Sequence, residues 1–144
     1  MPTTNTPIFP QTIVNTAVLI NNATGSGSAN KVTIRAGSTN GDKIESISIT
    51  STDTSARVLT IGMTISATDY IIGTVNVPIT AGTDAAATAA VSLLENNSIL
   101  LWIRKDNNGR PYIYVASGST LFAYAQTTVT SGKEIDIFTQ IGAF

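Results

Sequence analysis

Aliphatic and polar residues alternate along much of the chain, and the alternation is most regular over residues 59–66. Every second position there is aliphatic, namely Leu59, Ile61, Met63 and Ile65. The residues between them are threonine, glycine and serine. A period of two places successive side chains on opposite faces of a β-strand. We therefore predict a strand in which all four aliphatic side chains point into a core.

A second segment repeats the pattern a few residues later. Alternate positions from 71 to 79 are aliphatic or glycine, namely Ile71, Gly73, Val75, Val77 and Ile79. We predict that these residues share one face of a second strand. The two strands are expected to form a hairpin.

Shorter segments of the same kind recur at roughly ten-residue intervals, separated by turn signals. They cover residues 12–20, 32–36, 46–50, 112–115, 121–126 and 135–138. The apolar run at 99–103 predicts a strand covered on both faces, and the turn Asp106-Asn107-Asn108-Gly109 predicts a hairpin after it. The fold class that follows is all-β: an antiparallel β-sandwich of about eight or nine short strands, of which a jelly roll is one arrangement.

Residues 83–95 are the candidate for a single short helix. Thr83 or Asp84 could cap it, and the alanine-rich residues 85–90 have high helix propensity. An irregular crossover between strands is the alternative, since tertiary contacts often override propensity of this strength. The sequence leaves both possibilities open.

The N-terminal segment is apolar and rich in proline. Pro7 and Pro10 bracket the large apolar residues Ile8 and Phe9. Proline lacks the N–H that a central strand needs, so this segment should be extended and should not pair fully within a sheet. Ile8 and Phe9 are too apolar for a free tail. We therefore predict that these four residues contact another chain.

The length of 144 residues is typical of one domain. We predict an extended arm over residues 1–11 and a single β-sandwich domain over residues 12–144. Charged residues make up only 12% of the chain and the net charge is −1, which provides no basic surface for nucleic acid. The first residues lack the basic and apolar regions of a signal peptide, so we expect no membrane association.

Groups that carry common catalytic chemistry are scarce. The chain has no histidine and no cysteine, so hydrolase triads and most zinc sites have no candidate residues. Its carboxylates are scattered without the spacing of metal ligands. Two of them could serve a glycosidase in principle, but nothing in the sequence selects a pair. We predict a protein that is not an enzyme, with no catalytic, cofactor-binding or metal-binding residues.

Aromatic residues concentrate in the second half of the chain, at Trp102, Tyr112, Tyr114, Phe122, Tyr124 and Phe138. For most of them we favour core packing. The alternatives are contact with another protein and a platform that stacks on sugars.

Three basic residues surround the predicted hairpin turn: Arg104, Lys105 and Arg110. A solvated turn explains them without further function. The functional interpretation is a docking site for an acidic neighbour, and on that interpretation they belong to a protein interface.

Four segments taken in order carry a family resemblance. They are Thr-Asn-Thr-Pro-Ile-Phe-Pro at 4–10, Asn-Gly-Asp-Lys-Ile-Glu-Ser-Ile at 40–47, Tyr-Ile-Tyr-Val-Ala-Ser-Gly-Ser-Thr-Leu at 112–121 and Gly-Ala-Phe at 142–144. Together they resemble the small virion proteins of tailed bacteriophages. The resemblance implies a β-sandwich that decorates or cements a capsid, often as a trimer, and it includes no catalytic motif.

The expected function is therefore that of a structural virion protein, made in the host cytoplasm. Its expected partners are the major capsid protein or other virion proteins. Self-association is also expected, with a trimer favoured, because so few charges oppose the close approach of like chains. The alternative function is a carbohydrate- or receptor-binding module of a phage tail or fibre, which would stack surface aromatic side chains on sugars.

Overall fold

The computed structural model describes residue 10 and residues 12–83, 88–95 and 102–144. These residues form ten strands and one 3-10 turn at Ser28–Asn30. The strands are β1 (Thr12–Asn21), β2 (Val32–Ala36), β3 (Asp42–Ser51), β4 (Arg57–Ile65), β5 (Thr68–Val77), β6 (Val91–Ser92), β7 (Arg104–Lys105), β8 (Pro111–Val115), β9 (Ser119–Ala125) and β10 (Glu134–Ala143). The predicted all-β fold is confirmed, with ten strands instead of eight or nine.

The strands form two antiparallel sheets that pack as a sandwich. One sheet has the order β1-β10-β3-β8-β7, with β6 beside β3, and the other has the order β2-β9-β4-β5. The pairs β1–β10, β2–β9, β3–β8 and β4–β5 alternate between the sheets. The chain is thus one long antiparallel hairpin wrapped around a core, which is the jelly-roll arrangement.

Alternating side chains from both sheets fill the space between them. Ile47 and Ile49 of β3 are buried as predicted, while the serines beside them point outward. The largest fully buried side chains of this core include Ile20, Ile44, Ile47, Ile49, Leu59, Ile61, Ile113 and Leu121. Because each such side chain contributes about 1.5–3 kcal/mol, this core is the main source of stability.

The predicted inward face of β4 is correct for three of its four residues. Leu59, Ile61 and Met63 are at most 5% exposed. The prediction is wrong for Ile65, which is 45% exposed. Ile65 is the last residue of β4 and pairs with Thr68 beside the hairpin turn, beyond the buried part of the strand.

The predicted hairpin of β4 and β5 is confirmed by their pairing. Val75 and Val77 point inward and are fully buried, but Ile71 is 57% exposed and Ile79 is 49% exposed. A bulge adds Ile72 to β5 and turns Ile71 to the outer face. Ile79 follows the end of the strand. The prediction that all five residues share one face of the strand is therefore wrong for both isoleucines.

The helix candidate at 83–95 shows no helix in the part that the structure describes. Residues 88–95 contain the short strand β6 and turns, which fits the crossover alternative. Residues 84–87 lie outside the described residues.

The predicted strand at 99–103 is only partly described, because residues 96–101 lie outside the described residues. Trp102 and Ile103 are not in a strand. Trp102 is 44% exposed, so the prediction of a strand covered on both faces is wrong for this residue. The hairpin itself is confirmed: Arg104 of β7 pairs with Tyr112 of β8 across the predicted turn.

Of the predicted arm, Pro7, Ile8 and Phe9 lie outside the described residues. Pro10 is exposed and lies over Gly142 of β10. A Cβ at Gly142 would lie only 2.8 Å from the Cβ of Pro10, so glycine allows this close approach. The division into an arm and one domain stays a prediction.

Candidate protein-binding surface

The outer face of the six-stranded sheet brings exposed apolar side chains together. Residues with odd numbers in β1 and with even numbers from 134 to 140 in β10 point away from the core. The register places Ala17 beside Phe138, and Phe138 beside Ser48 of β3. Asn15 lies beside Gln140 in the next row. Strand pairing thus creates one continuous surface from segments that are far apart in the sequence.

We call this surface the uncharged patch. Its members are Ile13, Asn15, Ala17, Leu19, Ser46, Ser48, Phe138 and Gln140. Ile13 is 77% exposed, Phe138 52% and Leu19 42%. Exposed apolar side chains grouped on one face, with uncharged polar neighbours, are typical of protein-binding surfaces.

Charged residues border the uncharged patch. Asp136 pairs with Leu19 at one end. At the other end Lys43 lies beside Gly142 and forms an ion pair of 3.2 Å with Glu45. The patch is therefore a bounded apolar and amide-rich area with a polar rim, as in interfaces between proteins.

Beyond Lys43 the same face leads to a groove of about 460 Å³ at the β7–β8 hairpin. We call it the aromatic groove, and it is lined by Trp102, Ile103, Arg104, Tyr112, Ile113 and Tyr114. The Lys43 ammonium lies 5.1 Å from the centre of the Tyr112 ring, which is a cation–π distance. The Tyr114 ring lies 5.7 Å from the Phe144 ring.

The three predicted basic residues lie together at this hairpin. Arg104, Lys105 and Arg110 are exposed, and none of them forms an ion pair with a carboxylate in the described residues. Asp106 instead shapes the turn, because its Oδ1 accepts hydrogen bonds of 2.9 Å from the backbone N–H groups of Asn108 and Arg110. Arg104 is the one of the three that lines the aromatic groove.

The prediction of core packing is met for Phe122 only in that the residue is buried, since it lies on the outer face of the four-stranded sheet, and it is wrong for three other aromatic residues. Trp102, Tyr114 and Phe138 are between 44% and 52% exposed. Tyr112 and Tyr124 are half-buried. The exposed rings of Trp102 and Tyr114 belong to the aromatic groove, and that of Phe138 belongs to the uncharged patch.

Phe122 is buried although it points away from the core. Gly62 leaves room for its ring, since a Cβ there would overlap Phe122 Cζ. The Lys31 ammonium lies 4.9 Å from the centre of the Phe122 ring. It also forms an ion pair of 2.6 Å with Asp69 Oδ2. The Tyr124 ring stacks beside the Phe122 ring, with 6.4 Å between the two ring centres. The outer face of the four-stranded sheet is therefore partly covered by its own side chains.

Asp53 is buried and fully hydrogen-bonded. Its Oδ2 accepts from Arg57 Nε at 2.6 Å and from the Thr130 N–H at 3.1 Å. Its Oδ1 accepts from the Thr130 hydroxyl at 2.7 Å and from the Ser55 N–H at 3.0 Å. Burial raises the pKa of Asp53, but these hydrogen bonds outweigh it and hold the pKa far below its usual range.

Asp42 is also buried, but only its Oδ2 is hydrogen-bonded, and its buried Oδ1 has no hydrogen-bond partner among the described residues. Its Oδ2 accepts from Arg35 Nε at 2.7 Å and from the Ser38 N–H at 3.0 Å. Burial raises its pKa, and the hydrogen bond from Arg35 leads the contacts that together lower it below the ordinary value. A general acid needs a raised pKa, and neither carboxylate lines the aromatic groove. We assign both to stabilising the fold.

The uncharged patch was not recognisable from the sequence as a unit. Alternation indicated that Phe138 lies opposite Ile137, and it indicated nothing about the neighbours of Phe138. The patch needs the pairing of β1 with β10, which joins residues from the two ends of the chain. The exposure of Ile13 and Leu19 would have indicated the patch, but their exposed fractions follow only from the tertiary structure.

The fold and the surface define a jelly-roll protein with an exposed, uncharged sheet face. No family model matches the chain, and comparisons with curated proteins and with solved structures find no match. The described part of the chain contains no group of three or more His, Cys, Asp or Glu that could hold a metal ion. It also contains no helix long and apolar enough to cross a membrane.

Proposed function

We propose that this chain is a non-enzymatic structural protein of a virus particle, which decorates or cements a phage capsid through contacts with other proteins. The observation that carries the proposal is the uncharged patch, where Ile13, Leu19 and Phe138 are exposed on one sheet face. Covering such a face with a partner removes apolar surface from water, which is the main source of binding free energy between proteins.

The architecture supports the proposal by analogy. Jelly rolls are common in viral capsid proteins, although they also occur in lectin domains. Because a fold alone does not determine function, the proposal rests on the chemistry of the exposed surface. A patch without charge fits a partner surface that is also uncharged, and we propose the major capsid protein or another virion protein as that partner.

The first experiment measures attachment to particles. Virions of the source phage that lack this chain are incubated with wild-type protein or with Phe138→Lys, then sedimented, and the bound protein is quantified. We expect Phe138→Lys to weaken binding about tenfold or more, because it places a charge at the centre of the patch. The control is Asn76→Lys, an exposed position of β5 on the other sheet, which should bind as wild type does. Equal binding by all three proteins would exclude the patch as the attachment surface.

The arm is the second part of the proposal. We propose that Ile8 and Phe9 are buried in a neighbouring chain, where they contribute about 1.5–3 kcal/mol each, partly offset by the entropy lost on ordering the segment. A chain that starts at Gln11 should unfold at the same temperature as the full chain but be retained less on particles. Equal retention, or loss of the folded domain, would show that the arm is not the tether.

A second candidate function rests on the aromatic groove. Trp102, Tyr112 and Tyr114 line it beside Arg104, and aromatic faces with nearby hydrogen-bond donors suit a carbohydrate ligand or receptor. On a glycan array, binding by the isolated protein that is lost in Trp102→Ala and kept in Phe138→Lys would favour this function. An array without binding, together with attachment to particles, would favour the structural role.

A further inference from the structure

Strand β1 lies at one end of the six-stranded sheet, and β10 is its only partner strand among the described residues. All ten of its residues pair with β10 without a bulge or register shift. Its other edge pairs with no strand among the described residues. The free edge is therefore long and regular, and its backbone N–H and C=O groups are available to another strand.

The other edges of the sandwich are protected against such pairing. Strand β2 carries Arg35 and a register shift beside it. Strand β5 carries the bulge at Ile72 and the charge of Asp69. Strand β7 has only two residues, Arg104 and Lys105. Charges, bulges and shortness are the usual devices that prevent edge pairing, and β1 has none of them, since its ten residues include no charge and no proline.

The sequence of β1 is complementary to itself when read in the opposite direction. If Thr16 is placed opposite Thr16 of a second copy, Ile13 falls opposite Leu19 and Val14 falls opposite Val18. Directly opposite residues of antiparallel strands lie on the same face and contact each other. This register therefore matches large apolar side chains on both faces and uses residues 12–20 of each strand.

We infer that two copies of this chain join through antiparallel pairing of their β1 strands about a two-fold axis at Thr16. The two six-stranded sheets become one continuous sheet, and Ile13, which is 77% exposed in one chain, packs against Leu19 of the second copy. The two uncharged patches then lie side by side on the same face. The inference goes beyond the proposed function, because it names a second copy of the chain as the partner of the β1 edge and does not depend on a virion.

Charge placement tests the register. Wild-type protein should have twice the 15.0 kDa mass of one chain by light scattering at millimolar concentration. In Asn15→Lys/Ala17→Lys the new lysines lie directly opposite each other across the axis, so the mass should fall to that of one chain. In Asn15→Lys/Ala17→Glu each lysine faces a glutamate, so the doubled mass should return. Both positions are exposed, and thermal unfolding of each variant checks that it folds.

Cross-linking tests the axis itself, and the chain has no cysteine to interfere. Thr16→Cys should form a disulfide between two copies under mild oxidation, because residue 16 is its own partner. Leu19→Cys is the control, since the two residues 19 would lie about 20 Å apart. A single-chain mass for wild type, a threefold mass, a doubled mass for the lysine pair, or equal cross-linking at both positions would overturn the inference.

Discussion

Two arginine–aspartate pairs fasten loops to the sandwich at the scale of single residues. Asp53 connects Arg57 at the start of β4 with Thr130 before β10. Asp42 connects β3 with Arg35 at the end of β2. The hydrogen bonds to Asp53 replace the water that burial removes from both of its oxygens. In either pair, removing one partner would leave the other charge uncompensated.

We expect Asp53→Asn to lower the free energy of unfolding by about 3–5 kcal/mol, because it leaves the largely buried Arg57 without its carboxylate. Urea unfolding followed by circular dichroism measures the change. The matched control is Asp69→Asn, which removes an exposed ion pair with Lys31 and should cost far less because water screens that pair. Equal losses in the two variants would contradict a structural role for Asp53.

Phe122 is buried and Phe138 is exposed because their neighbouring side chains differ. Both lie opposite inward aliphatic residues, so alternation treats them alike. Phe122 is buried because Gly62 leaves room for its ring and Lys31 lies over it. Phe138 has serine and alanine as its cross-strand neighbours and stays exposed. Sequence periodicity gives the face of a residue, and only the neighbouring strands determine whether that face is covered.

Among the elements, the β4–β5 hairpin has an unfavourable turn sequence. Its turn residues Ser66 and Ala67 have φ angles of 50° and 64°. Left-handed backbone costs about 1–2 kcal/mol for a residue with a Cβ. Two-residue hairpin turns of this kind favour Asn-Gly for that reason.

The double variant Ser66→Asn/Ala67→Gly should therefore raise the free energy of unfolding by about 1 kcal/mol, which corresponds to a rise in Tm of roughly 2–4 °C. Differential scanning calorimetry measures it. Ala67→Val should act in the opposite direction, because a β-branched residue disfavours positive φ. A Tm that rises in both variants would show that turn strain is not what limits this hairpin.

The sequence predicted the existence and the faces of most strands, because one face of each is buried and a period of two records it. It could not predict which strands pair, since β1 and β10 lie at opposite ends of the chain. The positions of β-bulges could not be predicted either. The extra residue Ile72 in β5 places Ile71 on the face opposite to the predicted one. The uncharged patch depends on which strands pair, and for that reason it emerged only from the structure.

For the whole molecule, the small number of charges makes the pH dependence simple. The chain has no histidine, so no side chain with an ordinary pKa titrates between about pH 5 and 8. Asp42 and Asp53 have pKa values below the ordinary 3.8 in the folded state. The unfolded chain therefore binds protons more readily than the folded chain as the pH falls below about 4.

We expect the free energy of unfolding to be nearly constant from about pH 8 to pH 5 and to fall steadily below about pH 4. Guanidinium unfolding at a series of pH values measures it. Asp53→Asn should show a shallower fall than wild type, because it removes the group with the lower pKa. A wild-type protein that is equally stable at pH 3 and pH 7 would contradict the assignment of both carboxylates.

The pairing of β1 with β10, which places Thr12 beside Ala143, has a consequence for synthesis. A chain leaves the ribosome from its N-terminus, so β1 is made before β10, with the eight other described strands between them. The β4–β5 hairpin closes the shortest loop and loses the least entropy, so it can form early. The pairs β3–β8, β2–β9 and β1–β10 close progressively longer loops, and topologies rich in such long-range pairs fold slowly. The six-stranded sheet can be completed only after β10 has left the ribosome.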